Sequence, residues 1–146
     1  MQPQNSTNYR RTQIETATPL QLVALLYDGA IDNAHRAAKA IVDKDVATKT
    51  QAVDKLLAIV GELQSNLDME RGGDIARNLN ALYTYMSEQT VQASVKLNPE
   101  PLESVVALLE TVGSAWREIA SRPEAASPAP APQGPEPKRA QLSVRV

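Results

Sequence analysis

Thr18-Pro19-Leu20-Gln21-Leu22-Val23-Ala24-Leu25-Leu26-Tyr27-Asp28-Gly29-Ala30-Ile31 is the stretch on which the fold turns. Thr18 is a residue that caps helices, Pro19 suits the first helical position, and Gln21 stands where a capping box places Glu or Gln. Apolar or small residues then recur at Leu20, Ala24, Tyr27, Ile31, Ala34, Ala38 and Ile41. The steps alternate between four and three, the spacing of a heptad seam.

The same pattern returns three times downstream. Asp43-Lys44-Asp45 breaks the first helix, and Asp45 caps a second whose seam is Val53, Leu56, Val60, Leu63 and Leu67. Arg71-Gly72-Gly73-Asp74 supplies glycines for a turn, with Asp74 as the expected cap of a third helix. Its seam reads Ile75, Leu79, Leu82, Met86, Gln89 and Ala93. Asn98-Pro99-Glu100-Pro101 makes the last turn, and the fourth seam is Leu102, Val105, Leu109, Val112, Trp116 and Ile119. Four amphipathic helices joined by short turns predict an all-α, antiparallel up-down four-helix bundle over residues 18–121. Residues 1–17 are polar and are expected to form a mobile leader. Residues 122–146 hold six of the ten prolines among Ala and Ser. Such a composition buries too little apolar surface to offset ordering entropy, so a disordered tail is expected there.

Composition agrees with one helical domain. The chain has 146 residues, 42% of them hydrophobic, but only 3% aromatic and no Phe, so the core must be aliphatic. A net charge of −2 gives no electrostatic footprint for nucleic acid. With no cysteine there is neither a disulfide framework nor thiolate chemistry, which suits the cytosol. Met1–Asn8 contains no apolar signal-peptide core, and the longest apolar run, Leu22–Tyr27, is too short to span a bilayer. No membrane insertion is expected.

Reactive chemistry finds little support. A di-iron bundle needs inward carboxylates and paired histidines, whereas the seams carry no Asp or Glu and the chain has one histidine, His35. Zinc sites lack Cys and His ligands, and Gly72-Gly73 lacks the Lys and spacing of a phosphate loop. The expectation is no enzyme, no metal and no cofactor. One alternative is a histidine phosphotransfer module using His35 with Lys39 a turn later; another is a self-assembling helical interaction domain.

The helices also carry apolar residues beyond their seams. Leu22, Leu25, Leu26 and Gly29 form a second stripe on the first helix. Leu57 and Ile59 add to the second, Tyr83 and Tyr85 to the third, Val106 and Leu108 to the fourth. Extra stripes widen a core or line a groove for an amphipathic segment of another protein. Gly29, Gly61 and Gly113 each cost a helix about 1 kcal/mol relative to Ala. They fit either close helix approach or room for a partner's backbone.

The ordered set Tyr9, Thr16-Ala17-Thr18-Pro19, Leu26-Tyr27-Asp28-Gly29-Ala30-Ile31, Gly73-Asp74-Ile75-Ala76-Arg77-Asn78-Leu79, Leu82-Tyr83-Thr84-Tyr85-Met86 and Ala115-Trp116 resembles the flagellin-specific secretion chaperones of the FliS family, over roughly residues 9–120. The resemblance implies a cytoplasmic bacterial chaperone that binds the disordered C-terminal region of new flagellin, prevents its premature polymerisation and assists delivery to the flagellar type III export gate. Flagellin and an export-gate component are the partners implied, with a monomer or weak dimer when free. It also implies a partner groove at Leu22, Leu25, Tyr27, Gly29, Leu57, Gly61, Leu79, Tyr83 and Met86, and a leader plug at Tyr9 and Ile14. The chain departs from the family at Asp32-Asn33-Ala34-His35, where relatives often place bulky aromatics. Gly113-Ser114 stands where family helices are usually stronger formers, and the Pro-rich tail has no family counterpart.

Overall fold

The computed structural model describes residues 18–121. Four helices fill this span: α1 (Pro19–Asp43), α2 (Val46–Ser65), α3 (Gly73–Lys96) and α4 (Glu100–Ala120). The leader and tail expected from sequence lie outside the described residues.

Each helix starts for a local reason. Thr18 Oγ1 accepts a hydrogen bond from the Gln21 N–H at 3.1 Å, and Gln21 Oε1 accepts from the Thr18 N–H at 3.0 Å. This is the expected capping box, with Pro19 at the first turn. Asp45 Oδ1 caps α2 by accepting from the Thr48 N–H at 3.1 Å. The start of α3 differs from expectation. Gly72 occupies the cap with no side-chain hydrogen bond, and Asp74 lies inside the first turn, paired with Arg77. An acid there still favours the helix N-terminus through the backbone dipole. Lys44 and Leu97, both in the left-handed region, stop α1 and α3.

The bundle closes as a ring. α1 packs against α2 and α4, and α3 packs against α2 and α4. The packing is uneven: α1 sits closer to its neighbours than α3 does. Small residues explain the difference. The buried stripe of α1 includes Ala24, Ala30, Ala34, Ala37 and Ala40, which let neighbouring backbones approach. α3 instead buries Leu79, Tyr83 and Met86, whose bulk holds its axis away.

The seam of α2 matches expectation at all five positions, with Leu67 buried just past the helix end. The other seams are displaced by one residue at several positions. On α1 the core takes Ala30 and Ala37, and Ile31 and Ala38 are only half-buried. On α3 it takes Ala76, Tyr83 and Thr90 instead of Ile75, Leu82 and Gln89. On α4 Gly113 and Ala120 replace Val112 and Ile119. Thr90 satisfies its buried hydroxyl by donating to the Met86 carbonyl at 2.8 Å.

Candidate functional site

The expected groove residues divide into two sets. Tyr27, Leu79, Tyr83 and Met86 are buried in the core. There they build the bundle and present no surface to a partner. Leu22, Leu25, Gly29 and Leu57 are half-buried, and Gly61 is exposed. Tyr9 and Ile14 fall outside the described residues.

Helix geometry explains the division. At about 100° per residue, Leu22 and Leu25 lie well off the stripe through Leu20, Val23, Tyr27 and Ala30. Gly29 belongs to the flank facing α2, because a Cβ there would sit 3.4 Å from Ile59 Cδ1. This flank continues through Leu26, which packs against the core's edge. On α2, Gly61 has nothing within 4 Å of an added Cβ, so its surroundings are open. Gln64 closes the neighbouring α2–α3 seam by donating to Asn80 Oδ1 at 2.8 Å and Thr84 Oγ1 at 2.9 Å.

The core beneath carries a polar link between opposite helices. The Tyr27 and Tyr83 hydroxyls share a 2.6 Å hydrogen bond, and their rings are tilted at 6.4 Å between centroids. Burial pushes the Tyr27 phenol above its ordinary value, with the Tyr83 hydroxyl and the neighbouring Trp116 indole pulling partly back. Tyr83 is raised too, first by burial and then by Tyr27 beside it. Both phenols are therefore neutral hydrogen-bonding groups. Trp116 Nε1 is buried with no acceptor at hydrogen-bond geometry. Sequence reasoning placed Tyr83 on a flank and did not anticipate this link; the buried hydroxyl pair left no mark in the heptad pattern.

α4 is fastened to α1 by two features. A Cβ on Gly113 would lie 3.3 Å from both Cβ and Cδ2 of Tyr27, so glycine there permits the close approach. One turn on, Arg117 Nη1 donates to Asp28 Oδ1 at 2.8 Å. His35 is exposed on α1. Lys39, the cation paired with it in the phosphotransfer alternative, instead donates to Asp43 at 2.7 Å. Among the described residues no group of His, Cys, Asp or Glu is arranged to hold a metal ion. No described helix is long and apolar enough to cross a membrane.

The described residues define an all-helical four-helix bundle with a closed core and half-buried apolar flanks that offer surface to a partner. Comparison with known proteins makes the class specific. The family model described as flagellar protein FliS matches residues 1–123. The flagellar secretion chaperone FliS of Salmonella typhimurium (strain LT2) is 36% identical over 110 residues, covering 75% of this chain and 82% of the relative. That of Vibrio cholerae is 36% identical over 108 residues, 74% and 79% of the two chains. The Bacillus subtilis relative is 30% identical over 112 residues, 77% and 83%. The chain belongs to the FliS family of flagellar secretion chaperones, which are not enzymes.

Proposed function

We propose that this chaperone binds the C-terminal region of flagellin in the cytosol, prevents its premature polymerisation and assists its delivery to the flagellar export gate. One observation carries the reading on the molecule itself. Leu22, Leu25, Leu57 and Gly61 leave apolar or open surface on α1 and α2 while the core beneath is complete. A disordered client that folds on binding loses several kcal/mol to ordering. Many small apolar contacts along a flank offset that loss and leave an affinity that permits release. Tyr9 and Ile14, in the leader, cover the same flank when the client is absent. In this assignment Tyr27, Leu79, Tyr83 and Met86 support the flank from the core and do not touch the client.

The test is co-purification with flagellin, with and without the flagellin C-terminal segment. Recovery is expected to collapse on truncation, and equal recovery overturns the reading. Leu22→Ser with Leu25→Ser is expected to weaken capture while leaving the helical signal intact, because neither side chain belongs to the core.

A further inference from the structure

The α1–α2 face is apolar at one end and basic at the other. Gly29 approaches Ile59, whose Cδ1 would lie 3.4 Å from an added Cβ, so this pair marks the level at which the two helices touch. Leu22, Gly29 and Arg36 follow one another at heptad spacing and form a single line down α1. Leu25 lies one turn before Gly29, and Lys55 lies one turn before Ile59 on the same flank of α2. The helices are antiparallel, so Arg36 and Lys55 fall on the same side of the Gly29–Ile59 level. At about 1.5 Å per residue, Arg36 is about 10 Å from that level, Lys55 about 6 Å, and Leu22 about 10 Å in the opposite direction.

Both bases are exposed, and among the described residues neither pairs with a carboxylate. Arg36 donates to Asn33 Oδ1 at 3.0 Å, and Asn33 donates to the Gly29 carbonyl at 2.9 Å, so the guanidinium is turned back along this face. The nearest acids face elsewhere. Asp32 lies one turn from Asp28, whose bond to Arg117 marks the α4-facing flank. Asp54 is about 100° round α2 from Lys55, toward the side where Gln64 meets α3. Asp43 is engaged by Lys39. The acid that does share the face, Glu62, is one turn past Ile59 at the leucine end, where Asn66 donates to its carboxylate at 3.3 Å. The described residues form helices and turns with no sheet edge. An extended occupant would therefore gain no main-chain ladder here, whereas a helix satisfies its own backbone.

On the reading that flagellin is the client, we propose that the α1–α2 face holds an amphipathic helix of it, running parallel to α1. The negative end of that helix, its last-turn carbonyls and carboxylates, lies over Arg36 and Lys55. Its apolar row lies on Leu22 and Leu25. The distance from Leu22 to Arg36 is about 21 Å, so the occupant is about four turns long. Its direction follows from charge. A helix is negative at its C-terminal end and positive at its N-terminal end, which matches the bases at one end of the face and Glu62 at the other. The leucines accept an apolar row in either direction, and the two bases decide between them.

Two measurements test this. In titration calorimetry with the flagellin C-terminal segment, Arg36→Glu with Lys55→Glu is expected to weaken binding about tenfold and to remove most of its salt dependence. Lys44→Glu with Lys96→Glu makes the same change of charge away from this face and is expected to keep the affinity. All four side chains are exposed, so the helical signal stays intact. Equal weakening by the two double variants overturns the proposal. If the unaltered chain binds and Arg36→Glu with Lys55→Glu binds equally well, this proposal alone falls; if the unaltered chain binds no segment, the client reading falls with it. Direction is read separately. The chain has no cysteine, so a nitroxide is placed at Gln51→Cys, beside the bases, or at Ser65→Cys, toward the leucine end. With an isotopically labelled client segment, the first label is expected to quench the C-terminal half of the bound helix and the second its N-terminal half. The reverse pattern, or equal quenching of both halves by each label, overturns the assignment.

Discussion

At the residue scale, the informative pair is Tyr27 and Tyr83, whose 2.6 Å hydrogen bond crosses the middle of the bundle. Phenylalanine at either position strands the other hydroxyl in the core. Leaving a buried polar group without a partner costs about 1–3 kcal/mol, so Tyr27→Phe and Tyr83→Phe are each expected to lower the urea midpoint. The double variant is expected to lose less than the sum, because no orphan remains. Additive losses would show that the bond contributes no coupling. The same pair sets an alkaline limit. Both folded phenols sit above their ordinary value, while in the unfolded chain they ionise near pH 10. Their contribution is therefore complete below about pH 10 and is lost as pH rises through and beyond it, because the unfolded state releases protons that the folded state keeps. The slope approaches about 2.7 kcal/mol per pH unit while both folded phenols stay protonated. Urea unfolding at pH 9, 10 and 11 is expected to show a steep fall that the double Phe variant flattens.

At the element scale, the helices and the caps of α1 and α2 were legible, the cap of α3 was not, and the side that each helix turns inward was legible only in part. The α2 seam was correct because each of its five positions is a large aliphatic residue that the bundle buries, while Ala52 is buried beside them and Leu57 and Ile59 stay at the core's edge. On α1, α3 and α4 the choice lay between adjacent residues, and hydrophobic periodicity favours the larger. The bundle instead buries Ala30 beside Ile31, Ala76 beside Ile75, Gly113 beside Val112 and Ala120 beside Ile119. Tight helix packing wants small residues at the point of closest approach and sends the larger neighbour to the flank. Tyr83 is the reverse case: the larger residue goes inward and Leu82 stays at the flank, because the Tyr83 hydroxyl finds its partner in Tyr27. Leu22 and Leu25 were legible as surplus because they lie well off the α1 seam, whereas Leu57 sits beside its seam and packs against the core's edge. The glycines follow the same logic and are expected to separate under substitution. Gly61→Ala has open space and gains helix propensity, raising stability by up to about 1 kcal/mol. Gly113→Ala gains the same propensity but places a Cβ 3.3 Å from Tyr27 Cβ. That atom is fixed to the α1 backbone and cannot swing aside. Overpacking of this kind costs about 1–3 kcal/mol, so the net effect is expected to be destabilising. Thermal unfolding of the two variants checks the sign of each, and a stabilised Gly113→Ala would mean that α1 and α4 separate at little cost.

At the scale of the whole molecule, the question is whether a client lies on the bundle or opens it. The core is continuous around the ring from Leu20 to Ala120, and α4 is tied to α1 by the Asp28–Arg117 pair and by the close approach at Gly113. Inserting a client side chain among Tyr27, Tyr83 and Met86 would break the buried hydroxyl bond and separate packed helices, while the half-buried flank at Leu22 and Leu25 needs no such disruption. Binding on the intact surface is therefore the lower-energy route. Trp116, the only tryptophan in the chain, reports on this because its ring is buried between α4 and the Tyr27 phenol. Saturation with a tryptophan-free flagellin C-terminal segment is expected to leave its emission maximum unshifted. An environment-sensitive dye on Leu22→Cys is expected to respond strongly in the same titration. A red shift of Trp116 tracking the dye would mean that water reaches the core as the client enters, and that Tyr27, Leu79, Tyr83 and Met86 become contact residues in the bound state. An unmoved Trp116 beside a responding dye confines the client to the outer flank and leaves the four core residues as its support.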